Sequence, residues 1–400
     1  MLNAIIYGGI RTAFGRQGGS LARVRPDDLL AVTFRSLIGS TGIDQKILED
    51  VVIGCANQAG EDSRTVARHA ALLAGLPIEL GGTVINRNCG SGLGAIASAA
   101  HVVTAGEAEM ILTGGVESMS RGPFVMAKAE TAFSREMRIF DSAVGARFPN
   151  PKIEKEFGND SMPQTADNLA IEYKLTREQV DHFAAASQAK YAVALASGFF
   201  DDEICAVAVP GKRKGETVDI IKDEQPRAET TLESLAGLRT LNASGVTTAG
   251  SSSSINDGAV AMLVGSAAAG KQSGLKPVAR ILSSAVVGVA PRVMGIGPVP
   301  ASQKALARAG LKISDIDVIE INEAFSAQAL ACIKGLGLKL DDARVNRNGG
   351  AIAIGHPLGA SGPRILLTAA RQLQQGGGRY ALATMCIGMG QGIAMVIERL

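Results

Sequence analysis

Short apolar runs alternate with stretches of helical period along almost the whole chain, a pattern that predicts an α/β protein. Met1-Leu2-Asn3-Ala4-Ile5-Ile6-Tyr7 passes directly into a strand pattern, and Ala259-Val260-Ala261-Met262-Leu263-Val264 reads as a strand covered on both faces. Val84-Ile85 ends a strand-like run and leads through a polar, glycine-rich turn into an Ala-rich helix. From Gln164 to Ser187, apolar residues fall at Ala166, Leu169, Ala170 and Tyr173, then at Val180, Phe183 and Ala184, with charges on the other face. That spacing predicts a helical stretch.

The pattern occurs twice. Asp50-Val51-Val52-Ile53-Gly54-Cys55-Ala56-Asn57 resembles Asp317-Val318-Ile319-Glu320-Ile321-Asn322-Glu323-Ala324, and each precedes an apolar-periodic helix. Val84 to Asn88 parallels Arg344 to Asn348, and Glu109 to Gly115 parallels Arg379 to Met385. A duplicated α/β unit follows, with two similar halves packed together. Residues 120–249 match neither half and are richer in charge, Phe and Pro, so they read as an insertion. The expected organisation is a first half from 1–119 with 250–272, an inserted segment at 120–249, and a second half from 273–400.

Composition narrows the classes. Forty basic residues against 38 acidic ones give a net charge of +2, and the only basic block, Lys212-Arg213-Lys214, suits a solvated hairpin turn, so a nucleic-acid footprint is not expected. No Trp and four Tyr leave little for base stacking. The start lacks a signal-peptide pattern and no apolar run has membrane-spanning length, which points to a cytoplasmic protein with no membrane partner. Five cysteines without a CxxC pair argue against both a disulfide framework and structural zinc.

The chemistry gathers in three glycine-rich motifs. In Asn86-Arg87-Asn88-Cys89-Gly90-Ser91-Gly92, a cysteine sits at a helix N-terminus, where unsatisfied N–H groups favour thiolate and are expected to lower its pKa. Gly355-His356-Pro357-Leu358-Gly359 fixes an imidazole on a rigid loop, whereas His69, His101 and His182 fall in helical stretches of mixed polarity. Cys386 opens Cys386-Ile387-Gly388-Met389-Gly390 after a buried strand, so it is either a second reactive thiol or a small core residue. Asn322 either caps the following helix or orients a water in the site. Gly90 to Ala95 also fits a dinucleotide-binding pattern, but the acid that pattern needs is misplaced.

These motifs resemble those of the thiolases over essentially the whole chain. Asn-Arg-x-Cys-Gly-Ser-Gly at 86–92, Gly-Gly-Val-Glu-Ser-Met-Ser at 114–120, Asn-Glu-Ala-Phe at 322–325, Gly-His-Pro-x-Gly at 355–359 and Cys-x-Gly-x-Gly-Gln-Gly at 386–392 stand in the family's order. The resemblance implies a thiolase fold: two duplicated mixed α/β halves in a five-layered αβαβα core, an inserted loop domain that holds coenzyme A, and a dimer or tetramer. It implies that Cys89 carries the acyl group as a thioester, that His356 activates the thiol, and that Cys386 acts as general acid and base. The backbone amides of Cys89 and Gly388 would form one oxyanion hole, and His356 with a water held by Asn322 the other. Coenzyme A enters as co-substrate, with no permanently bound cofactor; Arg227, Ser234 and Ser253 would contact it, and Met294 and Phe325 would line its channel.

The chain departs from the family at Asn88, Asn242, Ser251, Ser254 and Arg347. Ser161-Met162-Pro163 stands where acetoacetyl-CoA thiolases carry His-Met-Gly, which places Met162 at the acyl pocket. Gln58 to Arg64 and Arg147 to Pro151 look like the 3-oxoadipyl-CoA thiolases, and a dicarboxylic acyl chain needs a cation for its far carboxylate, for which Arg147 is the candidate. The alternatives are an acetoacetyl-CoA or general 3-ketoacyl-CoA thiolase, and a non-catalytic acyl-CoA-binding protein on the same scaffold.

Overall fold

The computed structural model describes residues 1–400. Nine strands form one continuous path: β1 (Ala4–Thr12), β2 (Asp50–Gly54), β3 (Thr83–Ile85), β4 (Met110–Ser118), β5 (Asn256–Gly265), β6 (Ala279–Gly288), β7 (Val318–Ile321), β8 (Tyr380–Ile387) and β9 (Gln391–Arg399). Their order is β7-β8-β9-β6-β1-β5-β4-β2-β3. In the first half β2 pairs parallel with both β3 and β4, while β4 pairs antiparallel with β5. The second half repeats this around β7, which pairs parallel with β8 and forms a parallel bridge from Ile319 to Val345. The halves join where Ala4–Ile6 of β1 pair with Ala279–Ile281 of β6.

Helices complete five layers. On the first half lie α1 (Pro26–Thr41) and α2 (Val66–Leu73), and on the second α6 (Pro298–Ala309) and α7 (Ser326–Gly335). Between the halves run α3 (Ser91–Ala105) and α8 (Leu358–Gly376), packed on each other and on strands of both halves. Over its first ten residues α3 is almost wholly buried and must be apolar all round and narrow, which it meets with Gly92, Gly94, Ala95, Ala97, Ala99 and Ala100. A Cβ on Gly92 would run into Gly359 O and the ring of Pro363, so glycine is what lets α3 and α8 approach this closely. The largest apolar cluster surrounds this pair and includes Leu93, Ile96, Leu366 and Ile387. Truncating one such fully buried leucine to alanine costs about 2–5 kcal/mol.

The stretch Gln164–Ser187 is not one helix. It divides into α4 (Met162–Glu172) and α5 (Arg177–Ala196), because Lys174 turns left-handed at φ 52° and Thr176 starts α5 with a capping box to Gln179. The periodicity is right on each side; the interruption is a local turn that carries no Gly or Pro to announce it. Lys212-Arg213-Lys214 do lie in the turn of a hairpin, between Val207–Pro210 and Thr217–Ile220. The middle of the chain is tied to β1 by the buried Arg11, whose Nε donates to Glu203 Oε1 at 2.6 Å while Nη1 and Nη2 grip Asp223 at 2.7 and 2.9 Å. The two carboxylates satisfy the cation, and removing Arg11 would strand two buried carboxylates, at about 3–5 kcal/mol. Residues Ile204–Cys205 also pair with Arg11–Thr12, so this segment extends the main sheet.

Candidate active site

Cys89 lies in the turn between β3 and α3, two residues before the first helical residue, and is partly buried. Local hydrogen bonds set the turn: Asn86 Oδ1 accepts the Asn88 N–H at 3.0 Å, and Ser91 Oγ accepts the Arg87 N–H at 2.9 Å while donating to Asn88 O at 2.6 Å. Asn88 is held at φ 46°, a conformation that Asn adopts more readily than most side chains. The expected fall in the Cys89 pKa does not occur. Burial pushes the thiol up, and the N–H groups of Gly388 and of Cys89 itself, which pull it down, do not overcome that. At pH 7 Cys89 is therefore a thiol.

His356 is buried as well. It occupies the buried loop between Ala351–Ile354 and α8, and its backbone N–H donates to Asn256 Oδ1 at 2.8 Å. Its Nδ1 lies 2.6 Å from Ser361 Oγ, and Ser361 donates its own proton to Pro357 O at 2.9 Å. With its hydroxyl turned to Pro357 O, Ser361 is placed to accept a ring hydrogen on Nδ1, the tautomer that leaves the lone pair on Nε2. Nε2 faces the Asn322 amide, with Nδ2 at 3.5 Å. Burial, reinforced by the charge of Arg364, lowers the imidazole pKa to about 4, so it is neutral and able to accept a proton at pH 7.

Cys386 is buried in β8 opposite Gly392 of β9. Burial raises its thiol pKa well above the usual value, and the nearby thiols of Cys89 and Cys332 raise it further. The turn that follows is tight, with Met389 at φ 68° and Gly390 at φ 80°, and it directs the Gly388 N–H at the Cys89 sulfur. Asn88 Nδ2 crosses to Gly388 O at 3.3 Å, linking the nucleophile turn of one half to the glycine turn of the other.

Asn322 is fully buried just after β7 and does not cap α7, whose N-cap position is Phe325. Met294 and Phe325 share one apolar cluster with Cys386. Ser253 is held on the same loop by its N–H to Ala324 O at 2.9 Å. Arg227 and Ser234 are exposed; the Arg227 N–H is anchored on Gln188 Oε1 at 2.9 Å, and Ser234 forms a capping box with Thr231 at the start of the helix Leu232–Ala236. Met162 is exposed at the first turn of α4. Arg147 donates to Asn57 Oδ1 at 3.1 Å, and its charge acts on the buried Asp62. His69, His101 and His182 are exposed on helices. Ser361 and Asn256, which orient His356, have no sequence signal of their own: the first is one polar residue in a helix start, and the second is 100 residues away.

Cys89 and Cys386 meet from the two halves of this duplicated fold, the buried neutral His356 comes from the second half, and the set fits an acyltransferase. The chain belongs to the thiolase family: the family model "Thiolase, N-terminal domain" matches residues 4–268 and "Thiolase, C-terminal domain" matches residues 275–399. It is 55% identical to a beta-ketoadipyl-CoA thiolase of Acinetobacter baylyi, over 100% of both chains. It is 53% identical, again over 100% of both, to the 3-oxoadipyl-CoA/3-oxo-5,6-dehydrosuberyl-CoA thiolase of Escherichia coli. Among solved structures, the acetyl-CoA acetyltransferase of Bacillus anthracis matches with a TM-score of 0.93 at 36% identity, covering 100% of this chain and 99% of that one. Human mitochondrial 3-ketoacyl-CoA thiolase in complex with CoA matches with a TM-score of 0.91 at 36% identity, covering 100% and 98%.

Proposed function

We propose that this protein cleaves 3-oxoadipyl-CoA with coenzyme A to succinyl-CoA and acetyl-CoA, through a thioester on Cys89. The observation that carries the chemistry is that Cys89 rests as a thiol near the Cys386 thiol while His356 is buried and neutral. His356 takes the Cys89 proton, and the thiolate adds to the 3-keto carbon. The N–H groups of Cys89 and Gly388 hold the resulting oxyanion. As the C2–C3 bond breaks, its electron pair moves to an acetyl-CoA enolate, steadied by His356 with a water held by Asn322, and the Cys386 thiol gives C2 its proton. Free coenzyme A then yields its thiol proton to the Cys386 thiolate and attacks the acyl group, and departing Cys89 recovers its proton from His356.

The choice of 3-oxoadipyl-CoA is supported by the names of the relatives at 53–55% identity and by Arg147, whose guanidinium suits a far carboxylate. Coenzyme A acts as co-substrate, with no resident cofactor, against Arg227, Ser234 and Ser253 and along Met294 and Phe325; Met162 borders the acyl pocket. No helix is long and apolar enough to cross a membrane. Phe124, Phe133 and Met137 are exposed on and around the hairpin of Phe124–Met126 with Ile139–Asp141, which supports a homo-oligomer, a dimer or tetramer, and the cytoplasm is its proposed setting.

The test is the thiolysis rate of 3-oxoadipyl-CoA beside acetoacetyl-CoA and a medium-chain 3-ketoacyl-CoA, followed by loss of enolate absorbance with free coenzyme A. Strong preference for the first establishes the proposal. Preference for acetoacetyl-CoA would instead align the protein with the acetyl-CoA acetyltransferase of Pseudomonas aeruginosa, to which it is 45% identical.

A further inference from the structure

Glu117, next to last in β4, has a wholly buried carboxylate that pairs with no cation. Its oxygens accept three backbone N–H groups instead. Oε1 takes that of Asn57 at 2.8 Å, and Oε2 takes those of Ala56 at 3.0 Å and Gly359 at 2.8 Å. Ala56 and Asn57 belong to the loop after β2, in the first half. Gly359 belongs to the second half: it is the second residue of α8, three positions beyond His356. Its N–H is one of the donors that a helix leaves unsatisfied at its start, and here the acceptor comes from the opposite half.

The surroundings are as tight as the hydrogen bonds. A Cβ on Gly359 would run into Gly54 O and Val116 O, and one on Gly92 or Gly115 would run into Gly359 O. The start of α8 thus rests directly on β2, on β4 and on the first turn of α3, the helix behind Cys89. Asn86 of the nucleophile turn also donates to Ala56 O at 3.0 Å, so the residues that bind Glu117 also brace Cys89. Cys55, Asp62 and Glu117 bring ligand atoms within 4.8 Å of one another, but this is no cation site. The Glu117 oxygens take those N–H groups, and the Cys55 thiol is shared between Asn57 O at 3.0 Å and Glu117 Oε1 at 3.8 Å.

We propose that Glu117 is a positioning residue for the reaction: by binding the backbone of both halves at Ala56, Asn57 and Gly359, it sets the loop of His356 against the turn of Cys89. This rests on the roles given above to Cys89 and His356. Burial lifts the Glu117 carboxyl pKa to about 7, opposed by the same three N–H groups. Glu117 need touch no reacting atom to matter, because a displacement of about 1 Å between base and nucleophile costs about a hundredfold in rate.

Glu117→Gln keeps the shape but presents an amide N–H₂ to at least one of the three donors. Glu117→Asp keeps the charge and shortens the reach. In Glu117→Gln, kcat for thiolysis is expected to fall about 10- to 100-fold with KM within about twofold. Alkylation of Cys89 by iodoacetamide at pH 7, read by peptide mass, should slow by a similar factor, with partial recovery of both rates in Glu117→Asp. Circular dichroism and the urea midpoint report folding separately. Unchanged kcat or unchanged Cys89 alkylation in a folded Glu117→Gln would overturn the proposal, as would a loss confined to KM. If neither variant folds, Glu117 is a stability element and the proposal is also wrong. The underlying reading is checked apart from it: the unsubstituted protein must form an acyl-Cys89 thioester, and His356→Ala must slow Cys89 alkylation.

Discussion

His356 Nδ1 and Ser361 Oγ lie 2.6 Å apart, and with the Ser361 hydroxyl turned to Pro357 O the serine is placed to accept a ring hydrogen. That contact favours the tautomer with its hydrogen on Nδ1, whose other nitrogen faces Asn322.

Ser361→Ala removes the acceptor that holds the Nδ1 hydrogen. The ring is then free to change tautomer or rotate, and kcat for thiolysis should fall about 10- to 100-fold with little change in KM, general-base assistance being worth about 10²–10⁴ in all. Ser361→Thr, which retains the hydroxyl, should recover part of the rate. Equal kcat in Ser361→Ala and the unsubstituted protein would remove Ser361 from the mechanism.

The buried imidazole also leaves a mark on stability. Its folded pKa of about 4 lies below the ordinary 6.5, so between these values the unfolded chain binds more protons. Above pH 6.5 this group contributes no pH dependence; as pH falls from 6.5 toward 4, it destabilises the fold by a few kcal/mol, about 1.4 kcal/mol for each pH unit separating the folded and unfolded values. Glu117 and Glu320, both raised to about 7, act in the opposite direction by taking up protons in the fold. The comparison that isolates His356 is the urea midpoint of the unsubstituted protein and of His356→Ala from pH 7 to 4. The unsubstituted protein should lose more over that range; parallel curves would contradict a buried neutral imidazole.

Asn88 combines a left-handed backbone with a hydrogen bond across the site. Asn88→Gly tolerates φ 46° and should change the urea midpoint little, yet it loses the link to Gly388 O. Turnover should drop several-fold while stability holds. Asn88→Leu meets the steric penalty of that conformation as well, about 1–2 kcal/mol. If Asn88→Gly keeps full activity, the link does not set the Gly388 turn.

Arg147→Ala separates substrate recognition from structure. A charge-assisted hydrogen bond to a far carboxylate is worth about 1.5–3 kcal/mol, roughly 10- to 100-fold in kcat/KM. 3-Oxoadipyl-CoA thiolysis should fall by that much, with acetoacetyl-CoA thiolysis nearly unchanged. An equal loss for both substrates would mean that Arg147 serves only to hold Asn57 and Asp62, its present neighbours.

Much of the site is legible along the chain because each reactive residue sits in a local motif of glycine and polar residues. Cys89 and His356 need sharp turns, and the glycines beside them are printed in sequence. Asn322 is harder to read: its position before an apolar-periodic helix equally suits a cap, and only its burial beside His356 shows otherwise. The Cys89 pKa is misread for a related reason. A helix N-terminus is a local feature that favours thiolate, whereas burial, which raises the value here, comes from the packing around the turn.

By itself the sequence determined the strand runs, the duplication, the two thiols and the loop histidine, since all of these follow from short-range spacing and backbone preference. It did not determine the break at Lys174, the tautomer of His356, or the partners of Glu117. These depend on groups 60 to 242 residues apart in the case of Glu117, which meet only when the two halves close on α3 and α8. Buried polar groups must find partners wherever the fold brings them, and no local pattern records which partners those will be.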